Sequence, residues 1–223
     1  MCYNGHMGNT VGSLSQRQKS ILIGSLLGDA YLRKMPGRSD AFFEFNHSYK
    51  AKDYVDWKYQ ELKNFVKSKP KKRAYSNREA YRFFTVQRPE FTKIYESFYR
   101  DSRKVIDRDL QLNTLVLAVW FMDDGSVTSK SDVYLNTQQF SMKDQKFLLH
   151  VLRRDLGIRA RLNKDKKYYR IKILKESLPT FVSLVRRHVI DSMRYKLDKI
   201  TIFDDDPVET SRNKRGSTPN AEC

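Results

Sequence analysis

The stretch ILIGSLLGDAYL, residues 21–32, is an uncharged run that meets an aspartate at position 29. On an α-helix the apolar residues would form a buried ridge, and Asp29 would lie at or just beyond the last turn. A carboxylate is unfavourable there, because the carbonyl end of a helix carries partial negative charge. A solvated loop residue, a turn cap or a functional group would each account for Asp29, and this stretch alone leaves all three open.

A second stretch of the same kind, LVLAVWFMDDGSV, occupies residues 115–127. Asp124 follows Asp29 by 95 residues, and a spacing of this size calls for a test of internal repetition. Other features recur at similar spacing: Lys-Asp at 52–53 returns at 143–144, and Tyr-Arg at 81–82 returns at 169–170. The sequence therefore predicts two halves with one plan.

Each half reads as helix, two strands, helix, two strands and helix. This prediction rests on hydrophobic periodicity, a helix cap at Ser13 or Ser15, and Pro at a first helical turn. The fold class is a mixed α/β (α+β) fold with two pseudo-symmetric αββαββα repeats at 13–99 and 113–197, a linker at 100–112, a flexible N-terminus at 1–12 and a mobile tail at 198–223. Predicted elements of the first half are helix 15–28, strands 29–34 and 41–46, helix 50–66, strands 71–76 and 80–87, and helix 89–99. Those of the second half are helix 113–122, strands 125–127 and 134–137, helix 141–156, strands 158–163 and 168–174, and helix 179–189.

Charge indicates the class of partner. Forty-three Lys and Arg against 26 Asp and Glu give a net charge of +17, which favours a polyanion over an ordinary solvated basic surface. No apolar run approaches the roughly 20 residues that a membrane helix needs. Cys2 and Cys223 lie at the two ends, and no secretion signal is evident, so we expect a reducing compartment: a bacterial or archaeal cytoplasm, or an organelle that encodes the protein.

The predicted strands place basic side chains on one face. Alternation along each strand places basic side chains on one face and apolar side chains on the other. A β surface that reads DNA needs such a basic face, although the strands of an ordinary solvated sheet also alternate. A shortage of acidic partners on these strands favours DNA. The DNA-binding candidates are Arg159, Arg161, Asn163, Tyr168, Arg170 and Lys172 in the second half and Lys71, Arg73 and Arg82 in the first.

The two apolar helices would bring Asp29 and Asp124 together if they pack at the centre of the repeat. Two carboxylates beside DNA phosphates need neutralising cations. Mg²⁺ prefers carboxylate, water and phosphate oxygens, and a pair of such ions can stabilise a phosphodiester displacement. This arrangement would explain an aspartate at an unfavourable helix end.

LIGSLLGDA and LAVWFMDDG resemble the two signature helices of an intron-encoded LAGLIDADG homing endonuclease in its single-chain, two-motif form. The resemblance covers about 15–197. It implies paired central helices joining two curved antiparallel sheets that form a DNA-binding saddle. It also implies site-specific cleavage of both DNA strands across the minor groove, leaving short 3′ overhangs and promoting intron mobility.

The resemblance further implies the roles of individual residues. Asp29 and Asp124 would bind catalytic metal, with backbone carbonyls from Gly28 and Asp123, although the tandem Asp123-Asp124 leaves open which carboxylate coordinates. His47 and Gln138 would order water, with His47 as a surface histidine the alternative. Lys104 and Lys196 would be catalytic groups or phosphate anchors.

The implied cofactor is Mg²⁺, with Mn²⁺ substituting and Ca²⁺ supporting binding without efficient cleavage. The implied partner is double-stranded DNA, bound by a monomer, because each half supplies what a second subunit would. Proteins of this fold also serve as RNA maturases, which bind intron RNA, or as regulators that bind DNA without cutting it. Dependence of cleavage, but not of binding, on the two aspartates would discriminate these alternatives.

Overall fold

The two halves share one order of elements in the computed structural model, which describes residues 13–75 and 78–201. The first half comprises α1 (Gln16–Leu27), β1 (Tyr31–Lys34), β2 (Ala41–Ser48), α2 (Lys52–Glu61), β3 (Lys71–Tyr75), β4 (Arg78–Phe84) and α3 (Pro89–Phe98). A hairpin of β5 (Tyr99–Arg100) and β6 (Arg103–Lys104) follows. The second half comprises α4 (Thr114–Asp124), β7 (Gly125–Val127), β8 (Val133–Leu135), α5 (Met142–Leu156), β9 (Ala160–Asp165), β10 (Tyr168–Ile173) and α6 (Leu178–Arg186).

The sheets repeat the same topology. Their strand orders are β1-β2-β4-β3 and β7-β8-β10-β9, and every paired strand is antiparallel. This confirms the predicted αββαββα repeat. One predicted element is divided: the helix expected over 50–66 is α2 flanked by short 3₁₀ turns at Tyr49–Ala51 and Lys63–Phe65.

The two signature helices pack against each other at the centre. A Cβ on Gly24 of α1 would lie 2.7 Å from both the Val116 carbonyl oxygen and the Val119 Cβ of α4, so glycine permits this close approach. Ser25 and Ala118, two further small residues of these helices, are fully buried. Because α4 is also covered by α6, every residue from Leu115 to Met122 is buried, which explains its lack of a polar face.

Local capping determines where both central helices begin. Ser15 accepts a hydrogen bond from the backbone N–H of Gln18, whose side chain accepts one from the Ser15 N–H. Asn113 likewise accepts from the Val116 N–H at the start of α4. These bonds satisfy amide groups that a helix start leaves without partners. Neither helix has a basic residue in its last turn, so the carbonyl ends require partners from elsewhere.

The segment predicted as a linker, 100–112, contains part of the β5–β6 hairpin. Its turn residues, Asp101 and Ser102, both have positive φ (48° and 60°), as a type I′ turn requires. Residues 198–201 are tied to the second half, since the Thr201 N–H donates to Ser131 Oγ. The predictions for residues 1–12, for Ser76 and for 202–223, including both cysteines, fall outside the described residues.

Candidate active site

The C-terminal ends of α1 and α4 meet between the two sheets. Gly28 caps α1 and lies against Asp123 in the last turn of α4, where a Cβ on Gly28 would stand 2.4 Å from the Asp123 Cβ. Asp29 and Asp124 are close enough that the charge of one perturbs the other. The packing of the two helices therefore brings together the residues that the sequence places 95 positions apart.

Asp124 lies in an unfavourable electrostatic environment for an anion. Burial raises the pKa of its carboxyl to about 7, and the charges of Asp29 and Asp123 contribute in the same direction. Asn136 anchors its backbone, since the N–H and Nδ2 of Asn136 donate to the Asp124 carbonyl oxygen at 3.1 and 2.7 Å. A divalent cation would relieve this crowding of carboxylates.

Asp29 differs from Asp124 although the repeat makes them equivalent. Its side chain is 45% exposed, and His47 Nδ1 lies 3.4 Å from its Oδ2. Burial raises the pKa of Asp29, but the hydrogen bond from His47 and the charges of His47, Lys58 and Lys104 outweigh it, so the pKa lies below its ordinary value. The site thus pairs one readily ionised carboxyl with one that resists ionisation.

Lys104 and Lys196 occupy equivalent places at the two helix ends. Lys104 Nζ donates to the carbonyls of Leu26 and Gly28 at 3.0 and 3.1 Å, and Lys196 Nζ donates to that of Met122 at 2.6 Å. Burial lowers the pKa of Lys104 to about 8 against the opposing charges of the three aspartates, and it lowers the pKa of Lys196 as well. Both ammonium groups therefore satisfy the carbonyl ends that have no basic residue of their own.

The carbonyls predicted to bind metal already have partners within the protein. The Gly28 oxygen accepts from Lys104 and lies 3.4 Å from Gln139 Nε2, and the Asp123 oxygen lies 3.5 Å from Lys196 Nζ. Their metal-binding roles stay predictions.

His47 and Gln138 are placed differently. His47 is 7% exposed and lies beside the aspartates, so it is not the surface histidine that the sequence left open. Gln138 Nε2 instead donates to Asp165 Oδ2 at 3.2 Å, while the adjacent Gln139 faces the Leu27 and Gly28 carbonyls. The water-ordering role of Gln138 stays a prediction, and Gln139 joins the site as a residue that sequence reasoning missed.

Lys58 is the other residue that sequence reasoning missed. Its side chain is fully buried, and its Nζ donates to both Asp123 carboxylate oxygens at 2.7 and 2.9 Å. Helical spacing indicates that Lys58 is buried. It follows the buried residues Tyr54 and Val55 by four and three positions and so shares their face of α2.

Carboxylate oxygens, which this centre offers, are the ligands that a hard divalent metal ion prefers. Ligand atoms of Asp29, His47 and Asp123 all lie within 4.8 Å of one another. Because Lys58 already contacts both oxygens of Asp123, the carboxylates of Asp29 and Asp124 are the better candidates to hold a hard cation.

The basic faces follow the predicted alternation. In the second half Arg161 pairs in register with Lys172, and Asn163 with Arg170; in the first, Lys71 pairs with Arg82. Arg73 shares the face of Lys71, and these side chains line, with Phe42 and Phe84, a cleft of about 610 Å³. Exposed Tyr168 lies at the start of β10, and Arg159, just before β9, is 3.3 Å from Glu176.

The expected shortage of acidic partners was partly wrong. Lys172 Nζ lies 2.7 Å from Asp132, and Arg170 Nε lies 3.9 Å from Asp165. Asp132 immediately precedes β8, which pairs with β10, so strand pairing that the sequence did not specify brings it to Lys172. Arg161 has no ion pair among the described residues.

These features define a two-repeat nucleic-acid-binding fold with a carboxylate centre between its halves. Residues 19–181 match the family described as LAGLIDADG DNA endonuclease, and the chain belongs to this family. Among the solved structures, the homing endonuclease I-WcaI bound to its DNA recognition sequence is similar, with a TM-score of 0.77 and 28% identity over 83% of this chain and 88% of that one.

Curated relatives include two kinds of protein. Cytochrome b mRNA maturase bI2 of Saccharomyces cerevisiae is 30% identical over 211 residues, which is 86% of this chain and 49% of the maturase, so the chain spans about half the length of that relative. The probable intron-encoded endonuclease 1 of Wickerhamomyces canadensis is 30% identical over 203 residues, 83% of this chain and 85% of that protein. No helix in the described ranges has the length and apolarity to cross a membrane.

The raised pKa of Asp124 predicts an unusual dependence of stability on pH. Without metal, the folded state keeps a proton that the unfolded state releases, so the contribution of Asp124 to the free energy of unfolding falls as pH rises from about 4 to about 7. Asp124→Asn should therefore stabilise the protein at about pH 8 and change little near pH 4. Denaturant unfolding at both pH values measures this, and an equal effect at both would contradict it.

Proposed function

We propose that this protein is a homing endonuclease that cuts a long, specific double-stranded DNA site by metal-dependent hydrolysis of one phosphodiester in each strand, and so promotes intron mobility. The observation that carries the proposal is the meeting of Asp29 and Asp124 at the ends of the two central helices, between two basic sheet faces. A protein that only binds DNA has no need to hold two carboxylates beside phosphates. The family and the relatives named intron-encoded endonucleases support the same function.

The residues of the site would have different roles in this reaction. Asp29 and Asp124 would hold Mg²⁺, or Mn²⁺ in its place, which polarises a phosphate oxygen and lowers the pKa of bound water. His47 orients Asp29, whereas Lys104 caps the end of α1 and Lys196 caps the end of α4. Arg161, Asn163 and their counterparts in the first half would contact bases and phosphates in the grooves.

The decisive experiment uses a randomised duplex library. The purified protein is incubated in Mg²⁺ and separately in Ca²⁺, and both cut ends and retained DNA are sequenced. Discrete cuts at one long motif in Mg²⁺, with retention of the same motif in Ca²⁺, are expected. Specific retention without cutting in Mg²⁺ or Mn²⁺ would contradict nuclease activity.

Arg161→Ala should weaken DNA binding and relax recognition in one half-site. Loss of a base contact costs about 1–3 kcal/mol, which competition binding across single-base variants of the target measures. Lys164→Ala is the matched control, because Lys164 is an exposed cation of the same strand that the alternation places on the opposite face. A uniform loss over all sequences with a shallower salt dependence would instead assign Arg161 to a phosphate.

RNA maturation is a second candidate, favoured by the maturases among the relatives. Helix α5 packs on the apolar side of β9 and β10, and it exposes Lys143, Lys146 and Arg153, which gives the second half a further basic surface away from the sheet face. Structured intron RNA that binds while DNA is already bound would support this function. Mutual exclusion of RNA and DNA would count against a separate RNA surface.

We also propose that the protein acts as a monomer, because its two halves together supply both aspartates and both basic faces. Sedimentation of the complex with DNA tests this.

A further inference from the structure

Lys58 is buried in surroundings that a cation rarely occupies. No part of its side chain is exposed, and its Nζ lies 4.4 Å from the ring centre of Tyr54 and 5.4 Å from that of Phe45. Its ionic partner is Asp123, whose side chain is also fully buried. A buried charge of this kind is tolerated only with close partners, and Lys58 has both carboxylate oxygens of Asp123 within 2.9 Å.

The side chain of Asp123, in the second half, contacts the first half. It belongs to α4, yet its carboxylate binds a residue of α2, and its Cβ lies over Gly28. The repeat places Gly28 and Asp123 at equivalent positions of the two motifs. Only one of them can carry a side chain, because a Cβ on Gly28 would stand 2.4 Å from that of Asp123. The pair therefore makes the two halves of the centre chemically different.

Lys58 also contacts the histidine beside Asp29. Its Nζ lies 3.4 Å from His47 Nε2. An ammonium group has three hydrogens and no acceptor, so Nε2 must offer its lone pair to Lys58. The ring hydrogen then resides on Nδ1, which lies 3.4 Å from Asp29 Oδ2 and donates to it.

We propose that Lys58 is a positioning residue: it neutralises Asp123 within the protein and fixes His47 as the Nδ1–H tautomer that donates to Asp29. The contacts of Lys58 do not depend on the proposed nuclease function, but their consequence for catalysis rests on it. The consequence is that Asp29 and Asp124 remain the carboxylates that face the substrate, whereas Asp123 acts as an internal counterion. Lys58 thereby occupies the place that a cation would take between Asp123 and His47.

The tautomer can be measured without DNA or metal. Imidazole ¹⁵N shifts in the protein at one fixed pH, with the His47 signals assigned by His47→Gln, should show Nδ1 protonated and Nε2 unprotonated. The variant Lys58→Met/Asp123→Leu replaces both charges with apolar groups and so keeps the site free of an unpaired charge. In this variant the preference for Nδ1–H should be lost.

Asp123→Asn is the matched control, because it removes the negative charge but keeps an amide oxygen that can accept a hydrogen bond from Lys58. Its His47 tautomer should match that of the unaltered protein. An Nε2–H tautomer in the unaltered protein, or an unchanged Nδ1–H tautomer in the double variant, would overturn the proposal.

A second readout separates positioning from general stability. Because Lys58 acts through His47 on Asp29 and not on Asp124, the double variant should change the ratio of the two strand-nicking rates in Mg²⁺ by about tenfold, which corresponds to about 1.4 kcal/mol. Equal slowing of both strands would contradict this part of the proposal. A protein that shows the expected tautomer but cuts no DNA would leave the assignment of Lys58 standing and refute the nuclease function.

Discussion

Asp29→Asn and Asp124→Asn, made separately, should each abolish DNA cleavage and leave DNA affinity within about tenfold, a difference of about 1.4 kcal/mol. An amide keeps the shape of the carboxyl but loses the charge that a hard divalent cation requires. The basic faces that bind DNA lie on the sheets and are unaffected. Single-turnover cleavage of a labelled target in Mg²⁺ and binding of the same target in Ca²⁺ measure the two effects.

Asp53→Asn provides the control for this pair of variants. Asp53 is exposed at the start of α2, so the same chemical change there should leave cleavage intact. Unfolding of both active-site variants would show that the two aspartates are structural. The raised pKa of Asp124 argues against that outcome, because removing its charge should stabilise the metal-free protein at neutral pH and above.

Breaking the Lys58–Asp123 pair should cause the largest loss of stability. Lys58→Met leaves Asp123 as an uncompensated buried anion, and Asp123→Leu leaves Lys58 as an uncompensated buried cation. Each change should lower the free energy of unfolding by about 3–5 kcal/mol. At roughly 2–4 °C per kcal/mol for a chain of this size, the melting temperature falls by about 6–20 °C.

The double variant Lys58→Met/Asp123→Leu should recover most of this loss, since neither charge then remains buried without a partner. Lys72→Met is the matched control, because it removes a lysine from an ion pair with Glu79 in which both side chains are about half exposed. That change should cost far less stability than either change at the buried pair, because solvent screens an exposed ion pair. Equal losses of stability in Lys58→Met and Lys72→Met would contradict this prediction. Additive losses in the double variant would contradict it as well.

The internal repeat made much of this fold predictable. The two aspartates lie 95 residues apart in the repeat, and the family resemblance indicated Lys104 and Lys196, each of which caps the end of a central helix. Period-2 alternation placed Arg161 and Lys172 on basic strand faces, and they lie opposite each other in the sheet. Local patterns succeed here because capping, helical burial and strand alternation depend on neighbours in sequence.

The contacts between the halves could not be predicted in the same way. The lysine at position 58 lies on the buried face of α2, but only the packing of α2 against α4 gives it Asp123 as a partner. Likewise, nothing local distinguishes Gln139 from Gln138, whereas the structure directs Gln139 to Gly28 and Gln138 to Asp165.

By itself, the sequence determined the two-repeat organisation, the pair of aspartates and the basic strand faces. These features depend on short-range periodicity and on repetition along the chain. The tertiary structure decided which carboxylate of the Asp123-Asp124 pair is buried against a lysine, since Asp123 pairs with Lys58. It also made the equivalent halves different, since two backbones in close contact at Gly28 leave space for the side chain of Asp123 alone. The physical reason is that burial and charge pairing depend on distances between residues far apart in sequence.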